Sequence, residues 1–89
     1  MRELWIDEGL PAGLAEELVA RGRRARSVTG TVPDTELLQN AHAVLVTTLP
    51  LPGAAIVAGR DAAARRDAVH RHAHEMAAQR PGSLRRYVG

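Results

Sequence analysis

The run Ala43-Val44-Leu45-Val46-Thr47 most restricts what this chain can fold into. A strand with one wet face alternates polar and apolar residues; a continuous apolar run belongs to a central strand of a parallel sheet covered on both faces. Leu4-Trp5-Ile6 is a second short apolar run, stopped by Asp7 and Glu8 and followed by a Gly-Leu-Pro turn. Ala25–Val28 reads as a weaker strand, Ala54–Ala58 as a fourth and Leu84–Val88 as a last one.

Helical periodicity fills the spaces between them. Pro11 suits the first turn of a helix, where its missing N–H costs nothing. Leu14, Ala15, Leu18 and Val19 repeat with the helical period to about Arg21, and Gly22 caps the end. Asp34 or Thr35 caps a short helix that buries Leu37, Leu38 and Ala41. Leu49-Pro50-Leu51-Pro52-Gly53 cannot be regular structure. Gly59-Arg60-Asp61 leads into the longest helix, about Ala62–Gln79, which Pro81-Gly82 breaks. The order β-α-β-α-β-β-α-β, without repeat or linker, predicts a single α/β domain over residues 1–89. Its sheet is small and mainly parallel, with helices on both faces. Right-handed crossovers bring the ends of strands one, three and four to one edge, with strand four beside strand one.

Open α/β sheets bind ligands beyond the carboxyl ends of their strands. Asp7 stands at such an end. The Asp34/Glu36 turn, Thr47-Thr48 and Asp61 are expected to gather around it. Each acid also has a plain structural reading. A strand-end Asp can be satisfied by nearby backbone N–H groups, Asp34 and Asp61 fit helix caps, and Glu36 complements a first-turn dipole.

Composition narrows the function classes. Without cysteine there is no disulfide scaffold, thiolate metal site or cysteine nucleophile. No apolar run approaches the roughly 20 residues of a membrane span. The first residues lack the basic segment and apolar core of a signal peptide, so a cytoplasmic protein is expected. A chain of 89 residues buries only about two-thirds of its surface, which makes a homodimer or a partner chain an expectation. All twelve basic residues are arginine. Residues 1–44 carry five of them against seven acids, and residues 45–89 carry seven against three. That asymmetry suits a carboxylate site beside a phosphate-attracting surface, and equally an uneven solvated surface. Arg65, Arg66, Arg85 and Arg86 are candidate RNA contacts, since a guanidinium meets phosphate as a planar fork, although each cluster alone reads first as solvated surface. Only Trp5 and Tyr87 are available to stack on bases, and Trp5 belongs in a core, so aromatic recognition platforms are not expected. His70 and His74 share a helix face at a spacing that suits Zn²⁺ or Ni²⁺ but lack a third ligand. Solvent-exposed histidines are the simpler reading, with His72, near the Val69–Met76 face, expected to be half buried.

Three stretches taken in order carry a resemblance: Leu-Trp-Ile-Asp-Glu-Gly-Leu-Pro (4–11), Pro-Asp-Thr-Glu-Leu-Leu (33–38) and Val-Leu-Val-Thr-Thr (44–48). Across most of its length the chain resembles the short PIN-like nucleases, predicted toxins of bacterial toxin–antitoxin pairs. In that family strand one ends in Asp followed by Glu-Asn-Leu-Pro, and here Gly9 replaces the Asn. The family's second Asp matches Asp34, and its third strand runs into Thr-x-Asp-x-Asp. The resemblance implies metal-dependent cleavage of RNA, with carboxylates holding Mg²⁺ or Mn²⁺, and an antitoxin protein as partner. Asp7 and Asp34 would be the catalytic ligands, with Glu8, Glu36 or Asp61 completing the cluster. The chain departs from the family after Thr47-Thr48, where the two aspartates fall on Leu49 and Leu51. Two functions follow as expectations: a toxin-type ribonuclease with an altered or impaired site, or a degenerate PIN-like domain that binds a protein partner or RNA without cutting.

Overall fold

The structure is a computed structural model that describes residues 1–39, 43–50, 55–79 and 84–89, the side chains of Asp34, Leu38 and Ala55 excepted. The elements are β1 (Glu3–Asp7), α1 (Leu14–Ala20), β2 (Ala25–Val28), α2 (Asp34–Gln39), β3 (Ala43–Thr47), β4 (Ala55–Ile56), α3 (Ala62–Ala77) and β5 (Arg85–Val88). They form one sheet in the order β2-β1-β3-β5-β4, with every pairing parallel.

β3 is buried at all of its positions, as its unbroken apolar run requires. Successive side chains of a strand point to opposite faces. Val44 and Val46 therefore join Leu4, Ile6 and Val88 against Leu14 and Leu18 of α1 and Val69, Ala73 and Met76 of α3. Ala43 and Leu45 join Trp5 on the other face, under Leu37 of α2 and Val32 of the loop before it. The sheet thus lies between two helical layers. Leu4, Leu14, Leu18 and Leu37 are fully buried, and each such side chain contributes about 1.5–3 kcal/mol by leaving water.

Glycines set both ends of α1. Gly13 has φ 81°, a left-handed conformation that interrupts a helical run begun earlier. The helix therefore starts at Leu14, and Pro11 lies in the preceding turn, its carbonyl accepting from the Leu14 N–H at 3.3 Å. At the other end Gly22 has φ 83°. Its N–H bonds to the Val19 carbonyl at 3.0 Å and the Arg23 N–H to that of Leu18 at 2.9 Å, the paired closure of a Schellman motif. The chain is turned directly into β2, where the Arg24 carbonyl accepts from the Leu4 N–H at 2.9 Å.

The expected place of the fourth strand needs correction. β4 lies at the far edge, separated from β1 by β3 and β5, because α3 returns the chain inward and gives β5 the position beside β3. β4 is also shorter than expected. The N–H groups of Ala58 and Gly59 both turn to the Gly89 carbonyl, at 2.7 and 3.0 Å. α3 ends at Ala77, short of Gln79. Ala41, Leu51, Ala54, Pro81, Gly82 and the side chain of Leu38 lie outside the described residues. Among the described residues no helix is long and apolar enough to cross a membrane.

Candidate functional site

The connections diverge between β1 and β3. The β1–α1–β2 unit runs to one side of β1. The chain then returns through α2, over the opposite face, to place β3 on the other side. Ligand crevices of open α/β sheets form at such a switch point, beyond the carboxyl ends of the strands. Asp7 ends β1 and Thr47 ends β3. With Ile6 paired to Val46, the next residues along, Asp7 and Thr47, stand side by side.

Their side chains bond. Thr47 Oγ1 donates to Asp7 Oδ2 at 2.7 Å and accepts from the Leu49 N–H at 3.1 Å. Asp7 Oδ1 accepts from the Glu8 N–H at 2.8 Å. Thr47 is buried at 1% exposure while Asp7 is partly exposed, so the threonine fixes from below a carboxylate that opens outward. A carboxylate offers about four lone-pair sites; the two left over are available to a cation or a donor.

Above them lies a cleft of about 310 Å³, whose walls include Asp7, Glu8, Gly30, Thr31, Thr48 and Arg85. Arg85 arrives there because β5 sets it beside Leu45 of β3, and its guanidinium donates to the Val32 carbonyl at 3.0 Å. The cleft opposes two carboxylates to one guanidinium. Gly9 lies close to Thr48: a Cβ at this position would meet Thr48 Oγ1, and that side chain would have to turn to admit it. Leu49, at the rim, is 64% exposed.

The predicted site residues separate into those the sheet gathers and those it does not. Asp7, Glu8, Thr47, Thr48 and Arg85 come together. Asp34 opens α2, with its side chain outside the described residues; Glu36 is an exposed first-turn residue of the same helix. Asp61 caps α3, accepting from the Ala63 N–H at 2.7 Å. Because β4 is not beside β1, Asp61 is not delivered to Asp7. The four candidate RNA-contact arginines do not form one surface. Alternation along β5 sends Arg85 and Arg86 to opposite faces, and Arg86 is buried at 8% exposure with Glu75 at 2.8 Å. Arg65 and Arg66 lie on α3, where Arg66 pairs with Glu17 at 3.1 Å. Among the described residues no three His, Cys, Asp or Glu side chains are grouped to hold a metal ion.

His70 also needs correction. His70 is not solvent-exposed: its side chain is 9% exposed and its Nε2 lies 2.9 Å from Glu17 Oε1, tying α3 to α1. The Glu17 carboxyl is held below its ordinary range, first by the His70 hydrogen bond, against the opposing pull of burial, and then by Arg66. His72 lies 3.1 Å from Glu75 Oε2. The Glu75 carboxyl is likewise held down, chiefly by its hydrogen bond from Arg86 and then by His72. His74 is exposed. Trp5 is core as expected, with its Nε1 donating to Glu3 Oε1 at 2.7 Å and the Arg26 guanidinium 5.4 Å from the ring centre.

The cleft wall at Gly30–Val32 is the part the sequence reading missed. The signal for it was present: a strand parallel to β1 and adjacent to it must leave the sheet at the same end, so the loop after Val28 overhangs Asp7. Compared with known protein families, curated proteins and solved structures, the chain matches none.

Proposed function

We propose that the chain is a PIN-like protein, the toxin component of a toxin–antitoxin pair, acting on RNA at the Asp7–Thr47 cleft as a metal-dependent ribonuclease with an impaired site. The observation that carries this reading is the hydrogen bond between Thr47 and Asp7. It joins the strand-one aspartate of the resemblance to the threonine that opens its Thr-x-Asp-x-Asp stretch, and it does so at the switch point.

The donors fit one hydrated ion and not a two-ion clamp. Asp7 offers its unused lone pairs and Glu8 lies beside it, while Glu36 on α2 is not among the described residues that line the cleft. Mg²⁺ takes one or two protein carboxylates and keeps several waters, and Mn²⁺ is served by the same oxygen donors. Such an ion, when bound, supplies a water-derived nucleophile and neutralises charge on phosphoryl oxygens. Thr47 orients Asp7, and Arg85 is placed to meet a phosphate on the opposite wall. An RNA substrate and an antitoxin partner belong to this reading, as does a cytoplasmic site of action; a homodimer is compatible with it.

Leu49 favours a second reading, a degenerate PIN-like domain that binds RNA or a protein partner without cutting. An exposed leucine stands where the resemblance expects an acid, and an apolar rim is a poor environment for a cation.

Incubation of a mixed RNA pool with Mn²⁺ and either wild type or Asp7→Asn tests both. Cutting by wild type that is lost in Asp7→Asn supports the ribonuclease. Folded wild type that retains RNA without cutting it supports the degenerate form. A wild type that neither cuts nor binds RNA overturns the RNA-directed function.

A further inference from the structure

We propose that the outer edge of β2 docks an extended, acidic segment of a partner protein, which joins the sheet as a sixth strand. In a parallel ladder both backbone groups of a residue turn to the same side, and successive residues alternate. Leu4 pairs with Ala25 and Ile6 with Ser27, and the Leu4 N–H bonds to the Arg24 carbonyl. The backbone groups of Arg26 therefore face β1, while those of Ala25 and Ser27 point away from it. Among the described residues β2 is the last strand on its side, so these two N–H and C=O pairs form an open edge there.

A groove of about 360 Å³ lies against that edge, lined by Ala15, Glu16 and Val19 of α1 and by Ala25, Arg26 and Ser27 of β2. Val19 is 54% exposed, an apolar residue on the solvent side of a helix whose core face is Leu14, Ala15 and Leu18. An added strand bonds through its backbone and sends alternate side chains to one face. Here an alternate apolar side chain meets Val19 and Ala15 while the backbone meets Ala25 and Ser27.

Charge selects the occupant. Arg21, Arg23 and Arg24 lead into this strand and Arg26 lies within it; Arg26 pairs with Glu3 at 2.9 Å and Arg21 helps to hold down the Glu17 carboxyl, while among the described residues Arg23 and Arg24 have no ion-pair partner. Among the described residues Glu16 is the single carboxylate on the groove. A second copy of β2 pairing in parallel would bring the same arginines against these, and charged edges resist such self-pairing. An extended segment alternating acidic and apolar residues is complementary in both hydrogen bonding and charge.

The test is titration of the full chain with a synthetic peptide of alternating valine and aspartate, and with the same peptide carrying lysine for aspartate. Amide shifts and fluorescence anisotropy provide the readouts. The acidic peptide is expected to bind and to shift the amides of Ala25 and Ser27; the lysine peptide is expected not to bind. Ser27→Pro removes an outward N–H and leaves the β1 ladder intact, a position that tolerates proline. Val19→Asp places a charge in the groove. Each should weaken binding about tenfold or more, with the fold checked by circular dichroism. Absence of binding by the acidic peptide, equal binding by the lysine peptide, or indifference to both substitutions overturns the proposal. So does RNA in place of the peptide shifting these amides. Asp7→Asn should bind the peptide as wild type does, so this outcome is independent of the ribonuclease reading.

Discussion

The Thr47 hydroxyl and the Asp7 carboxylate, forty residues apart in the chain, are joined by a hydrogen bond of 2.7 Å at the divide between β1 and β3. Thr47 is at once donor to Asp7 and acceptor for the Leu49 N–H. The exit of the chain from β3 and the aim of the Asp7 carboxylate are therefore set by one buried hydroxyl.

Thr47→Val keeps the shape of the side chain and removes that hydroxyl. The Asp7 carboxylate loses a donor and the Leu49 N–H loses its acceptor. A hydrogen bond to a charged group contributes about 1.5–3 kcal/mol, so a loss of about that size is expected in urea unfolding. Thr47→Ser should restore most of it. Equal stability of Thr47→Val and wild type would show that the bond does not hold the cleft.

Asp61→Ala should cost about 1 kcal/mol, the usual worth of an N-cap, which for a domain of this size is a fall in Tm of roughly 4–8 °C. Any rise in Tm produced by Mn²⁺ should persist in this variant, because Asp61 is engaged by the Ala63 N–H and its strand lies at the far edge of the sheet. Loss of the Mn²⁺ response in Asp61→Ala would place it in a metal site after all.

The sequence made the elements legible because their signals are local. The unbroken apolar run at Ala43–Thr47 predicts a strand buried on both faces, and β3 is buried throughout. Gly22 predicts the end of α1 because only a residue at ease with positive φ closes a helix that way. Strand order was less legible. Whether β4 or β5 sits beside β3 depends on where α3 packs, and neither short strand carries a mark of its neighbour. Placing strand four beside strand one, and Asp61 with it near Asp7, follows from that alone; the helix-cap reading of Asp61 needs no strand order and is met by the Ala63 N–H. The misreading of His70 has a related cause: a histidine on an arginine-rich helix looks solvated until Glu17, fifty-three residues away, is brought opposite it. The Arg85–Arg86 pair reads as one basic patch in the sequence. A strand separates two such neighbours to opposite faces, and only the fold shows that Glu75 waits behind Arg86.

The contact between α1 and α3 should titrate. The folded-state pKa of Glu17 lies below its ordinary value of 4.5, so the unfolded chain binds its proton more readily than the folded one does. The stabilisation is then fully present above about pH 4.5 and is lost as pH falls through the lower folded value. Glu17→Gln should lower the urea midpoint at neutral pH and flatten its decline on acidification. Glu75, lowered chiefly by Arg86, should behave in the same sense in Glu75→Gln. A decline with acid as steep in Glu17→Gln as in wild type would exclude this carboxylate as a source of the acid sensitivity.

Leu49→Asp tests whether an acid at this rim, where the resemblance has one, lets the cleft hold a metal ion. Leu49 is 64% exposed, so removal of its side chain costs little core packing, and its backbone N–H still bonds to Thr47. A new carboxylate at the rim is placed to repel Asp7 and Glu8 in the absence of metal. The variant should therefore melt below wild type without divalent ions. Mn²⁺ neutralises that repulsion and gains a ligand, so it should raise the Tm of Leu49→Asp by more than that of wild type, by mass action on the folded state. Asp7→Asn in the same chain should remove the extra rise, since the ion would lose the carboxylate that Thr47 orients. If Mn²⁺ treats Leu49→Asp and wild type alike, the rim of β3 is not within reach of the ion, and the Asp7–Thr47 cleft is better read as a surface that binds without metal.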